Sequence, residues 1–143
     1  MNSHLICTLI AAAVLGASAH AQPASSDPAS LIPGAWASGE GPEACRTAPI
    51  SFFLSDGTYV VFDRFDGPLH AVGRWRVEGA SVILTHTDAP FPDDGAASAE
   101  ATLSLRRIDG AVFETANAAG RVRVRTRCAG LVLPPGATAG QAH

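Results

Sequence analysis

The run Arg121 to Cys128 (RVRVRTRC) constrains this chain more than any other segment. Arginine stands at every second position, alternating with Val122, Val124, Thr126 and Cys128. A strand sends successive side chains to opposite faces, so it gathers Arg121, Arg123, Arg125 and Arg127 on one side and the less polar residues on the other. A helix would spread the same residues around its whole circumference. The segment therefore predicts a half-buried strand, with the face of Val122 turned to the core and the arginine face turned to solvent. Same-face residues are about 6.6 to 6.8 Å apart, so the four guanidinium stems would form a row of about 20 Å.

The rest of the chain supplies partners for that strand. Ile50 to Leu54, Thr58 to Phe65, His70 to Val77, Ser81 to Thr87, Ala101 to Ile108 and Ala111 to Thr115 are short apolar or alternating runs. Ser55-Asp56-Gly57, Asp66-Gly67-Pro68, Glu78-Gly79 and Asp109-Gly110 separate them, and Asp-Gly between alternating runs is a strong hairpin signal. With Ile32 to Ala37, and Gly130 to Leu133 as a further candidate, the sequence predicts seven to nine strands. Short connections favour pairing in sequence order, and a long meander closes on itself to remove its edges. The expected fold is all-β, an antiparallel up-and-down meander closed into a barrel, with a two-sheet sandwich as the alternative. Thr58 to Phe65 is apolar on both faces, which requires either a central position or a covering segment.

The ends of the chain read differently. Leu5 to Ala17 is an apolar run followed by Ala19-His20-Ala21, the layout of a secretory signal peptide, and it is too short to span a bilayer. Residues 1–21 are read as that signal, 22–30 as a flexible Pro/Ser-rich leader, 31–133 as the β domain and 134–143 as a disordered tail. The location implied is periplasmic or secreted, with no membrane span in the mature chain. Processing would remove Cys7 and leave Cys45 and Cys128, an even pair that an oxidising compartment joins. Closing a loop of more than 80 residues is worth roughly 4 to 5 kcal/mol on the chain-entropy model.

Gly34-Ala35-Trp36 opens the domain, and an arginine, Arg125 first and Arg127 second, comes near the end of the last long strand. A Gly-x-Trp on the first strand with a late-strand Arg over its indole resembles the closing arrangement of lipocalins and related calycin barrels, here in an exported chain of bacterial type. The resemblance implies that Trp36 plugs one end of the barrel while the guanidinium stacks on the ring and bonds nearby carbonyls. It also implies a small, largely apolar ligand held in or at the mouth of the barrel. Trp75, Leu103, Leu105 and Val122 are the inner-wall candidates, and Asp88 to Ser98 is a candidate lid.

The net charge of −3 excludes the broad basic field of a general nucleic-acid binder. The arginine row offers a second function, an interaction or inhibitor module that uses its loops and this face against carboxylate, phosphate or another exported protein. Its plain alternative is a solvated outer face. No Gly-x-Ser-x-Gly, phosphate loop or His-Glu-x-x-His occurs, so the sequence assigns no catalytic residue, metal ligand or cofactor.

Overall fold

Side-chain turns fix where the strands stop. Asp109 Oδ1 accepts from the backbone N–H groups of Ala111 and Val112, both at 2.8 Å, and Asp56 Oδ1 accepts from that of Thr58 at 2.7 Å. Each carboxylate replaces the ladder bonds that a corner leaves unmade. The computed structural model describes residues 27–86, 100–135 and 137. Its elements are α1 (Pro28–Leu31), β1 (Gly34–Ser38), α2 (Ala44–Thr47), β2 (Ile50–Phe53), β3 (Thr58–Phe62), β4 (Leu69–Glu78), β5 (Ser81–His86), β6 (Glu100–Ile108), β7 (Val112–Ala116) and β8 (Val122–Arg127).

Every strand pairs antiparallel with the next, and β8 returns to β1, so the meander closes into an eight-stranded barrel. Closure settles the choice against a two-sheet sandwich. The closing register sets Trp36 opposite Arg127, Ala37 opposite Thr126 and Ser38 opposite Arg125. Gly130 to Leu133 adds no ninth strand.

The interior is built on rings. Trp36, Phe53, Tyr59, Trp75 and Phe113 form one buried cluster with Val82 and Leu84. Phe53 meets the edges of Trp75 and Phe113, each at 5.7 Å between centroids, and Trp36 meets Phe113 at 5.4 Å. Such pairs each add about 0.5–1.5 kcal/mol beyond the area they bury.

A second cluster lies outside the barrel wall. Ala35, Ala37, Ile50, Phe52, Val60 and Phe62 point outward from β1 to β3, and α2 with Leu131, Leu133 and Ala137 covers them. That covering explains why β3 is apolar on both faces. Cys45 of α2 is joined to Cys128, with Cα atoms 5.6 Å apart. The bridge pins the outer layer where β8 ends, and the strap continues over the outer face to Ala137, into the segment read as a tail. At the other end of the domain α1 takes up residues 28–30, the last of the segment read as a leader. Asp27 caps it by accepting from Ala29 N–H at 3.0 Å, with proline in the first turn.

Candidate functional site in the barrel interior

The orientation of β8 decides what lines the interior. Cys128 is tied to α2 outside the wall, and Arg127 lies over the ring of Trp36 inside it. Alternation then carries Arg125 and Arg123 inward as well. This corrects the expectation of an outward arginine row. Arg125 is 2% exposed and stands over the Phe113 ring at 5.2 Å. Arg121 precedes β8 and is exposed. Val122, expected on the inner wall, is on the opposite face and 56% exposed. Trp75, Leu103 and Leu105 do face inward: Trp75 is buried, while Leu103 and Leu105 pack half-buried against the inner cluster with Ala101.

One end of the barrel is sealed by Trp36. Its indole Nε1–H donates to Ile32 O at 2.7 Å, and the ring is fully buried. Arg127 stacks at 4.2 Å from the ring centroid and donates through Nη1 to Pro33 O at 3.1 Å and through Nη2 to Leu31 O. The sealing arginine is therefore Arg127. Arg125, the first candidate, is opposite Ser38 and Phe113 in the register and stands over the Phe113 ring instead. Gly34 is required by the same seal. Its φ is +136°, and a Cβ there would sit 2.6 Å from Arg127 Nη1. The spacing Gly-x-Trp thus has a cause: the glycine makes room for the guanidinium that covers the tryptophan.

Arg125 has a different environment. Its Nη1 donates to Thr115 Oγ1 at 3.1 Å, and its buried Nε–H has no hydrogen-bond partner among the described residues. Burial first, and then the neighbouring Arg123, pull its pKa down to about 10, with Tyr59 acting weakly the other way. At neutral pH it is still a cation. Tyr59 is 1% exposed, and burial raises its phenol well above the usual range against the smaller opposing pull of Arg125 and Arg123. Tyr59 therefore stays neutral and cannot serve as the counter-ion. Thr115, Tyr59 and Phe113 escaped the sequence reading because each passes for an ordinary core residue.

Register places these groups together with apolar wall. Leu105 of β6 pairs with Thr115 of β7, which pairs with Arg123 of β8. The Arg125 guanidinium reaches Thr115, one inward position further from Trp36 than its own Cα. A half-buried leucine, a hydroxyl and Arg123 thus share one transverse row of the inner wall, whose hydroxyl the Arg125 guanidinium reaches from the next row.

Other candidates lie elsewhere. Arg74 and Arg76 are on the outer face of β4, where Arg76 pairs with Glu78 at 2.6 Å and Glu100 at 3.4 Å. His70 is near the surface with Nδ1 3.0 Å from Asp63. Among the described residues, no three His, Cys, Asp or Glu side chains gather as metal ligands, and no helix is long and apolar enough to cross a membrane. The expected lid, Asp88 to Ser98, lies outside the described residues.

No family model and no curated protein matches the sequence. The crystal structure of a lipocalin-like protein from Bacteroides uniformis is similar to this chain, with a TM-score of 0.50 at 12% identity, over 68% of this chain and 98% of that one. The likeness is one of fold. The chain is a lipocalin-like small β-barrel, a closed eight-stranded antiparallel meander with a disulfide between Cys45 and Cys128.

Proposed function

We propose that this chain is an exported binding module that holds a small ligand with a substantial apolar part in or at the mouth of its barrel. The observation that carries the reading is the unevenness of the inner wall. Trp36 and Arg127 seal one end, and the inward residues of β2 and β3, with Val82 and Leu84 of β5, are buried. On β6, inward Ala101, Leu103 and Leu105 stay only half-buried, so this part of the apolar wall is less covered than the rest. Eight strands enclose an interior just wide enough either to fill with side chains or to hold one small ligand. The lipocalin-like fold supports the same reading, since such barrels are suited to enclosing a ligand. Export rests on the signal-like start of the chain and on a disulfide, which persists in oxidising compartments.

The competing reading, an interaction or inhibitor module using loops and an arginine face, would have to do without Arg125 and Arg127, which point inward. Native mass spectrometry of protein purified from its own host tests the proposal. A bound small molecule, released on denaturation, is expected. A ligand-free mass, together with no displacement of an apolar dye from the interior, would end it.

A further inference from the structure

The apolar layer outside the wall is covered by segments that do little to hold themselves. Beneath the cover lie Ile50, Phe52, Val60 and Phe62 of β2 and β3, each 6% exposed or less. Phe52 and Phe62 meet edge to face at 5.9 Å between centroids. Above them, α2 and the strap touch the wall through Ala44, Ala48, Leu131, Leu133 and Ala137. Among the described residues, the backbone hydrogen bonds of both covers are local. In α2, Cys45 N–H donates to Pro42 O at 3.2 Å and Ala48 N–H to Ala44 O at 3.0 Å. In the strap, Leu131 N–H donates to Cys128 O at 3.3 Å and Ala137 N–H to Pro134 O at 3.2 Å. α2 is a single turn, and the side chain of Glu43 does not cap it, so it is not stable by itself. The Cys45–Cys128 bridge ties α2 to the point where the strap leaves β8.

Barrel closure does not depend on that tie. β8 pairs with β1 from Trp36 to Ser38, and Cys128 N–H donates to Ala35 O at 2.9 Å. Arg127 covers Trp36 from inside. The two cysteines also differ in access. Cys128 is 5% exposed, whereas Cys45 is half-buried on α2, next to exposed Arg46 and Thr47.

We propose that the Cys45–Cys128 bridge is a redox latch, which a dithiol opens at Cys45, freeing α2 and the strap from the outer face while the barrel stays closed. One thiolate of the dithiol attacks Cys45 Sγ, the more accessible sulfur. A new S–S bond forms there, the old one breaks, and Cys128 leaves as a thiolate that takes up a proton. The second thiolate of the dithiol then displaces Cys45, which also leaves and is protonated, and the dithiol departs as a disulfide. Two electrons have passed from the dithiol to the bridge. Ile50, Phe52, Val60 and Phe62 then form an uncovered apolar patch, a kind of surface that soluble monomers keep small. The latch converts a reducing signal into an exposed outer face, whatever the interior holds.

Alkylation, trypsin cleavage and tryptophan dichroism of the full chain, with and without dithiothreitol, test this. Once reduced, Cys128 should react with iodoacetamide in the folded protein, because its cover has gone. Cleavage after Arg46 should quicken about tenfold or more, since proteolysis follows the population of the open form. The near-ultraviolet dichroism of Trp36 and Trp75, both in the inner cluster, should stay as it was. Reoxidation should restore both protections. A short pulse of cysteamine, quenched with acid, should leave its adduct on Cys45. The double variant Cys45→Ala/Cys128→Ala should be cleaved fast with or without dithiothreitol, and the wild-type measurements decide the matter if it fails to fold. Loss of the tryptophan dichroism on reduction would make the bridge a staple of the whole fold and overturn the latch. Reduced protein with Cys128 unreactive and α2 still resistant would overturn it equally. An adduct on Cys128 would overturn the attack at Cys45.

Discussion

Arg127 and Arg125 stand two residues apart on one face of one strand, and their surroundings differ in kind. Arg127 covers an indole and gives its Nη protons to the carbonyls of Pro33 and Leu31, the backbone that leads from α1 into β1. Arg125 covers a phenyl ring, keeps one hydroxyl contact and, among the described residues, has a bare Nε–H. The first is satisfied by the chain itself and acts as a fastener. The second costs stability, because burying a charge without a partner is expensive. A residue that completes the fold and one that weakens it can thus be told apart by where their hydrogen bonds go. The second kind points to function.

The comparison can be broken most forcefully at the sealed end. Trp36→Ala should cost about 3–5 kcal/mol in denaturant unfolding, as truncation of a buried aromatic does. A cost below about 1 kcal/mol would mean that the indole is not the plug. Reducing the Cys45–Cys128 bridge should remove a further share, about 2–5 kcal/mol, seen as a lower Tm in reductant. Both thiols reacting with an alkylating agent in the native protein would contradict the bridge.

The two arginines should then separate cleanly. Arg127→Met should destabilise by about 0.5–2 kcal/mol and show coupling with Trp36 above about 0.5 kcal/mol in a double-mutant cycle. Arg125→Met should be neutral or stabilising by up to about 2 kcal/mol without ligand, since a buried charge is exchanged for an isosteric apolar chain. Coupling of Arg125 rather than Arg127 to Trp36 would reverse the assignment.

Much of this architecture was legible before any coordinates. Asp56-Gly57 and Asp109-Gly110 marked true corners, and Gly34-Ala35-Trp36 marked the sealed end, because turn chemistry and ring burial are local properties. The direction of β8 was not legible from polarity. Alternation separates two faces without saying which one is inside, and the usual preference sends valine in and arginine out. Here the outer side of β1 to β3 carries its own apolar layer under α2 and the C-terminal strap, and the outward face of β8 runs into that layer at Cys128. Two signals pointed the right way. An arginine stacked on a barrel plug has to face inward, and Cys128, one residue after Arg127, has to face whatever Cys45 occupies. Leu105 and Thr115 stayed hidden for another reason. Their place beside Arg123 depends on the register of three strands, including the shift in β6 between Leu105 and Arg107.

The smallest expected effect lies at the corner between β6 and β7. Asp109 has its carboxyl held below the usual range, mainly by the N–H groups of Ala111 and Val112 and then by Arg107. A folded pKa below the unfolded value of about 3.9 means that the contribution is present above that pH and is lost as pH falls through the folded pKa. Asp109→Ala should therefore flatten the acid limb of the stability profile and narrow its gap to the wild type as pH falls below the ordinary carboxylate range. An unchanged acid limb would show that the corner does not depend on this carboxylate.

The central claim, that ligand is held against the inner wall of this barrel, is tested most directly by intermolecular NOEs between bound decanoate and methyl-labelled protein. The methyl groups of Leu103 and Leu105 should show cross-peaks to the alkyl chain, and Val122, on the opposite face and exposed, should show none. Cross-peaks to Val122 with none to Leu103 or Leu105 would place the ligand outside the wall and contradict the account.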